Sequence, residues 1–126
     1  MSINKIVEKA AQLAWTKKGQ DVLIMDLRKI TNITDYFILV SGESDIHVKA
    51  IAEHIERELK KEKVKVWHKE GFQKLNWVLL DYIEFVVHIF KPEIREFYSL
   101  EKLWADANIT KLDNHVKSPI LSEAKS

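Results

Sequence analysis

The chain has 126 residues, 46% of them hydrophobic and 31% charged, with a formal net charge of +1 and no cysteine. This length predicts one ordered domain with a two-layer core. The missing cysteines exclude a disulfide framework, a thiolate zinc site and a cysteine nucleophile, and the near-zero charge speaks against a surface given over to nucleic acid while leaving room for a local basic patch.

Ile3, Ile6, Val7, Ala10, Ala11, Leu13 and Ala14 recur at spacings of three and four, so a helix is predicted from about Ser2 to Lys18, ended by Gly19. The same segment has charges where a signal peptide needs an apolar core. No apolar run reaches the roughly 18 residues of a bilayer span, so a cytoplasmic protein without a membrane contact is expected. Val22 to Leu27 and Tyr36 to Val40 read as strands bounded by turn residues. Ser44 or Asp45 then caps a helix with Ile46, Ala50, Ile51, Ile55 and Leu59 as its buried stripe and Lys49, Glu53, Glu56, Arg57 and Lys60 as its wet one. Val64 to Trp67 reads as the next strand, which implies a right-handed parallel crossover.

Trp77 to Phe90, WVLLDYIEFVVHIF, holds two hydrophobic runs, no basic residue and two acids, and is predicted as a hairpin that makes the sheet mixed. By contrast, Arg57 to Lys69 carries six Lys or Arg against two Glu. Pro92 opens a last helix with Ile94, Phe97, Tyr98, Leu100, Glu101 and Trp104 at helical spacing to about Ala107. Periodicity then stops. Residues 1–107 are therefore expected to form the domain and 108–126 a C-terminal tail.

Ser41-Gly42-Glu43-Ser44 lies where a strand gives way to a helix, and free N–H groups there can hold a phosphate. With Asp26, Asp35 and Asp45 nearby in sequence, a metal-dependent nucleotidyl transfer is one reading. The other is a capped, tight turn with acids as turn acceptors. His47, His54, His68, His88 and His115 show no four-residue spacing of a helical metal site, so no metal or cofactor is expected. Trp77 opens the hairpin and is either a partner anchor or core. In the hairpin, Trp77, Leu79, Asp81, Tyr82 and Glu84 offer apolar area and acid together, as suits a basic partner.

DYFILVSGESDIHVKAIAEHI at Asp35 to Ile55, Glu70-Gly71, WVLLDY at Trp77 to Tyr82, VVHIF at Val86 to Phe90 and REFYSLEKLWADA at Arg95 to Ala107 together resemble the ribosomal silencing factor family, also called RsfS or Iojap. The resemblance implies an α/β single domain with a mixed β-sheet of about five strands and flanking helices, similar to the nucleotidyltransferase fold but without transferase activity. It further implies a translation repressor that binds the large ribosomal subunit through ribosomal protein L-fourteen and covers the surface where the small subunit docks. Glu70, Trp77, Leu79, Asp81, Tyr82 and Glu84 would be the partner-binding residues, and the basic segment from Lys60 to Lys69 is either a solvated helix end or a minor contact to ribosomal RNA. A nucleotidyltransferase-like enzyme and a homodimeric interaction module remain the alternatives, and monomer and homodimer are both compatible with the sequence. The chain departs from the family at Asp81-Tyr82-Ile83-Glu84, where members usually read Asp-Tyr-Gly-Asp. A β-branched residue resists the positive φ that glycine accepts, so a turn built differently is expected, with the acid retained in Glu84.

Overall fold

The computed structural model describes residues 2–112. Along the chain run α1 (Ile3–Thr16), β1 (Gln20–Asp26), β2 (Tyr36–Ser41), α2 (Asp45–Lys61), β3 (His68–Glu70), β4 (Trp77–Asp81), β5 (Phe85–Phe90), α3 (Pro92–Tyr98), α4 (Leu100–Leu103) and β6 (Asn108–Lys111). The strands form one six-stranded sheet in the order β3-β4-β5-β2-β1-β6. Only the β2–β5 pair is parallel; the other neighbours are antiparallel. The sheet is thus mixed, as the sequence implies, with one strand more than expected.

Ser2 caps α1 by accepting from the Lys5 N–H, and Val7, Ala10, Ala11 and Ala14 are its buried residues. The small alanines let α1 approach α2 closely. A Cβ on Gly19 would come within 2.4 Å of Val40 Cγ2 and 2.7 Å of Ala14 O, so this stop position takes only glycine. In α2, capped by Ser44, the buried stripe is Val48, Ile51, Ala52, Ile55 and Leu59. Each fully buried Ile or Leu contributes about 1.5–3 kcal/mol. Ile46, expected in that stripe, is 81% exposed, because at about 100° per residue it lies on the side of the helix opposite Val48, Ile51, Ile55 and Leu59. Both helices pack on one side of the sheet, over Val22, Ile24, Ile38, Val40, Val78, Leu80, Val87 and Ile89.

The opposite side is covered less completely. Leu23, Met25, Leu27, Leu39 and Phe90 form a second cluster with Leu100, Ile94 and Trp104 from the C-terminal helices. Arg95 fixes that cover: it is buried, its Nη1 donates to Ser41 Oγ at 3.0 Å and its Nε to Glu101 at 3.1 Å.

Three elements differ from expectation. Val64 to Trp67 is not a strand; Val64 and Val66 pack against the core and the pairing segment is the charged His68–Glu70, an edge strand exposed on both faces. Such an edge needs no hydrophobic alternation, and charges there discourage further pairing. The crossover from β2 accordingly finds its parallel neighbour in β5, not in the strand that follows α2. The last helix breaks at Ser99, whose φ of 47° is left-handed. Finally, the boundary expected after Ala107 falls short, since Asn108–Lys111 pairs with β1 from Leu23 to Asp26. The remainder of the expected tail, from residue 113, lies outside the described residues.

Candidate docking site

Strand β4 alternates: Val78 and Leu80 are buried, whereas Trp77, Leu79 and Asp81 are half-buried. Period-two geometry puts these three on one face, the side that α3 and α4 leave partly open. Register places Glu70 beside Leu79 and His68 beside Asp81, with His88 on the far side of Leu79. Glu70 is exposed and lies 2.7 Å from His68 Nε2. Gly71, next to it, has φ 90°, and a Cβ there would stand 2.0 Å from Trp77 O. The β3–β4 loop can close against Trp77 only with glycine at this position.

Trp77 is held from below. Its Nε1–H donates to His88 Nδ1 at 3.0 Å, and its ring centroid lies 4.8 Å from Tyr98 and 5.4 Å from Phe90. Accepting at Nδ1 leaves the His88 proton on Nε2, which has no partner among the described residues. Burial depresses its pKa to about 3, so His88 is neutral at any physiological pH. Trp77 is therefore both packed and displayed: its polar handle is occupied inside the protein, and what it offers outward is an aromatic surface.

Tyr82 does not belong to this face. It is 7% exposed, sits in the core under α2 with its ring stacked 4.7 Å from Phe85, and its hydroxyl has no partner among the described residues. Burial pushes its pKa up. The alternation that brings Asp81 outward turns Tyr82 inward. Glu84 is exposed at the turn. Between them Ile83 keeps a positive φ of 75°, so the turn retains the conformation that glycine adopts easily.

The enzymatic constellation does not assemble. The Glu43 N–H donates to His47 Nδ1 at 2.9 Å and the His47 N–H to Ser44 Oγ at 3.1 Å, which occupies the amides that a phosphate would need. Asp26 takes two hydrogen bonds from the Arg28 guanidinium, which hold its carboxyl below the usual range. Asp45 pairs with Lys91. Among the described residues no group of His, Asp or Glu is placed to hold a metal ion. The basic segment is partly neutralised: Lys61 pairs with Glu58 at 2.9 Å, Lys69 with Glu56 at 3.1 Å, and from α1 Lys9 reaches Glu62 at 3.1 Å. No helix among the described residues is long and apolar enough to cross a membrane.

Sequence reasoning missed Phe97 and Tyr98. Both enter the sequence reading only as members of the last helix's repeat, yet they are 80% and 52% exposed, in the final turn of α3 before the left-handed Ser99. It also missed His88 as the partner of Trp77. The available signal was a lone polar residue in an apolar strand, at the parity that faces Trp77.

The family model "ribosomal silencing factor during starvation" (RsfS) matches residues 1–126. The chain is 38% identical to the ribosomal silencing factor RsfS of Bacillus subtilis over 113 residues, 90% of this chain and 96% of that one. It is 34% identical to chloroplastic Iojap of Zea mays over 98 residues, 77% of this chain and 42% of that longer protein. A crystal structure of a Chromobacterium violaceum protein is similar with a TM-score of 0.81 at 33% identity, over 83% of this chain and 88% of that one. Matched along its whole length by the family model and covering nearly all of a bacterial relative, the chain belongs to the ribosomal silencing factor family, which regulates translation and is not enzymatic.

Proposed function

We propose that this protein, acting in the cytoplasm, binds the large ribosomal subunit through ribosomal protein L-fourteen and blocks joining of the small subunit by occupying its docking surface. The observation that carries this reading is the open outer face of β4. There Trp77 and Leu79 supply apolar area, and Asp81 and Glu84 supply charge that no ion pair neutralises among the described residues. Burial of the apolar centre gives affinity, while the acids steer a basic partner and set orientation. Glu70 lies at the edge of the face and adds a further acid. Tyr82 acts beneath it as core. The mechanism is occupancy: repression follows mass action and requires only binding tight enough to compete with the small subunit.

Preincubating large subunits with the protein and then adding small subunits should lower the amplitude of association measured by light scattering. Unchanged association at saturating protein overturns the reading. In co-sedimentation the protein should travel with the large subunit and not with the small one.

A further inference from the structure

We infer that Phe97 and Tyr98 on α3 form an aromatic ledge that extends the β4 face and receives a cation-bearing, basic protein surface; this rests on the docking reading above and adds a second contact region to it. The Tyr98 ring lies 4.8 Å from Trp77, and Phe97 meets Tyr98 edge-on at 5.0 Å. Three aromatic rings thus follow one another from strand to helix. The ledge is fixed in place, since buried Arg95, in the preceding turn, ties α3 to Ser41 and Glu101.

Exposed aromatic surface of this kind is costly in water and marks an interaction site. Its charge environment selects the occupant. Between Trp77 and Leu103 the bases Lys91 and Arg95 are engaged by Asp45 and Glu101. Asp81, Glu84, Glu93 and Glu96 make no ion pair among the described residues, against two uncommitted bases, Lys102 in that stretch and Lys74, which lines the same cavity as Trp77. Glu93 and Phe97 are four apart on α3, so they share a helix face. A guanidinium or ammonium stacked on Phe97 or Tyr98 would find a carboxylate at hand. Nucleic acid phosphate, by contrast, would meet like charge. The strip is therefore two-ended: aromatic at Phe97, Tyr98 and Trp77, aliphatic at Leu79, acidic at Asp81 and Glu84. From Trp77 to Asp81 it extends about 13 Å along the strand.

The test uses purified large ribosomal subunits and the full chain. Phe97→Ser, at a largely exposed position, should keep the wild-type melting temperature and weaken binding by about tenfold or more. Glu93→Gln with Glu96→Gln should weaken it as well and reduce its salt dependence; being exposed, these two carry the test should Phe97→Ser melt early. If Phe97→Ser and the Gln pair bind as wild type while Asp81→Lys with Glu84→Lys does not, the ledge is overturned and the hairpin reading stands. If all of them bind as wild type, both fail. If Phe97→Ser instead converts a dimer to a monomer in sedimentation equilibrium with ribosome binding unchanged, a second copy covers the ledge and the inference is likewise overturned.

Discussion

Ile83 has a backbone conformation that L-residues with a branched β-carbon rarely adopt. Its φ is 75°, its N–H donates to Asp81 Oδ1 at 2.7 Å, and the Glu84 N–H donates to Tyr82 O at 2.9 Å, closing a three-residue turn. Thr34 Oγ1 donates to the Ile83 carbonyl at 3.0 Å and locks the turn to the loop before β2. Left-handed backbone costs a non-glycine residue about 1–2 kcal/mol, while glycine loses about 0.5–1 kcal/mol through its extra freedom in the unfolded chain. The difference favours glycine. Ile83→Gly should therefore raise the unfolding free energy by about 0.5–1 kcal/mol in urea denaturation, and a loss of stability would show that the exposed isoleucine side chain packs to advantage. The residue types at this turn point to a turn built differently, but the structure keeps the glycine-like conformation; besides the local bonds to Asp81 and Tyr82, it is held by Thr34, 49 residues away, which no local pattern reveals.

At the scale of elements, β6 shows how an edge strand escapes sequence reading. Asn108–Lys111 has one apolar residue, Ile109, and no alternation to detect, yet it pairs with β1 from Leu23↔Lys111 to Asp26↔Asn108. Its stabilisation is mostly backbone hydrogen bonding, each bond contributing about 0.5–1.5 kcal/mol, and it covers the edge of an otherwise apolar strand. A chain ended after Ala107 should be less stable than one ended after Leu112 by about 2 kcal/mol in chemical denaturation. It should also scatter light at concentrations where the longer chain does not, through its bare β1 edge. Equal stability of the two would reduce β6 to an appendage. Helices α3 and α4 make the complementary point. Their apolar residues were legible, but not the left-handed break at Ser99 between them, nor that Ile94, Leu100 and Trp104 pack inward while Phe97 and Tyr98 face outward.

For the molecule as a whole, a net charge of +1 predicts little long-range steering, so association with a basic surface must depend on where charge is placed. Asp81 and Glu84 stand at one end of the β4 face without ion pairs among the described residues. Charges of this kind act over about 10 Å at 0.1 M salt and less at higher ionic strength. Replacing both by lysine reverses the sign at that end while leaving the core untouched. The Asp81→Lys, Glu84→Lys protein should fold with a wild-type circular dichroism spectrum and fail to bind large subunits, whereas the wild-type association rate should fall as salt rises. A double variant that binds with wild-type affinity across the salt series would move the docking face elsewhere on the domain.

Hydrophobic period, capping residues and turn glycines determined α1, α2, the two central strands and the β4–β5 hairpin, because these signals are local and the core rewards them directly. Strand parity is also a property of the chain alone, and it puts Trp77, Leu79 and Asp81 on one face and Tyr82 on the other, against the expected grouping of all four. The tertiary structure decided which face of the sheet the C-terminal helices leave open. It turned Phe97 and Tyr98 outward, and it set His88 under Trp77. Those outcomes depend on contacts between residues distant in sequence, formed once the sheet has its order, and periodicity along one segment carries no information about them.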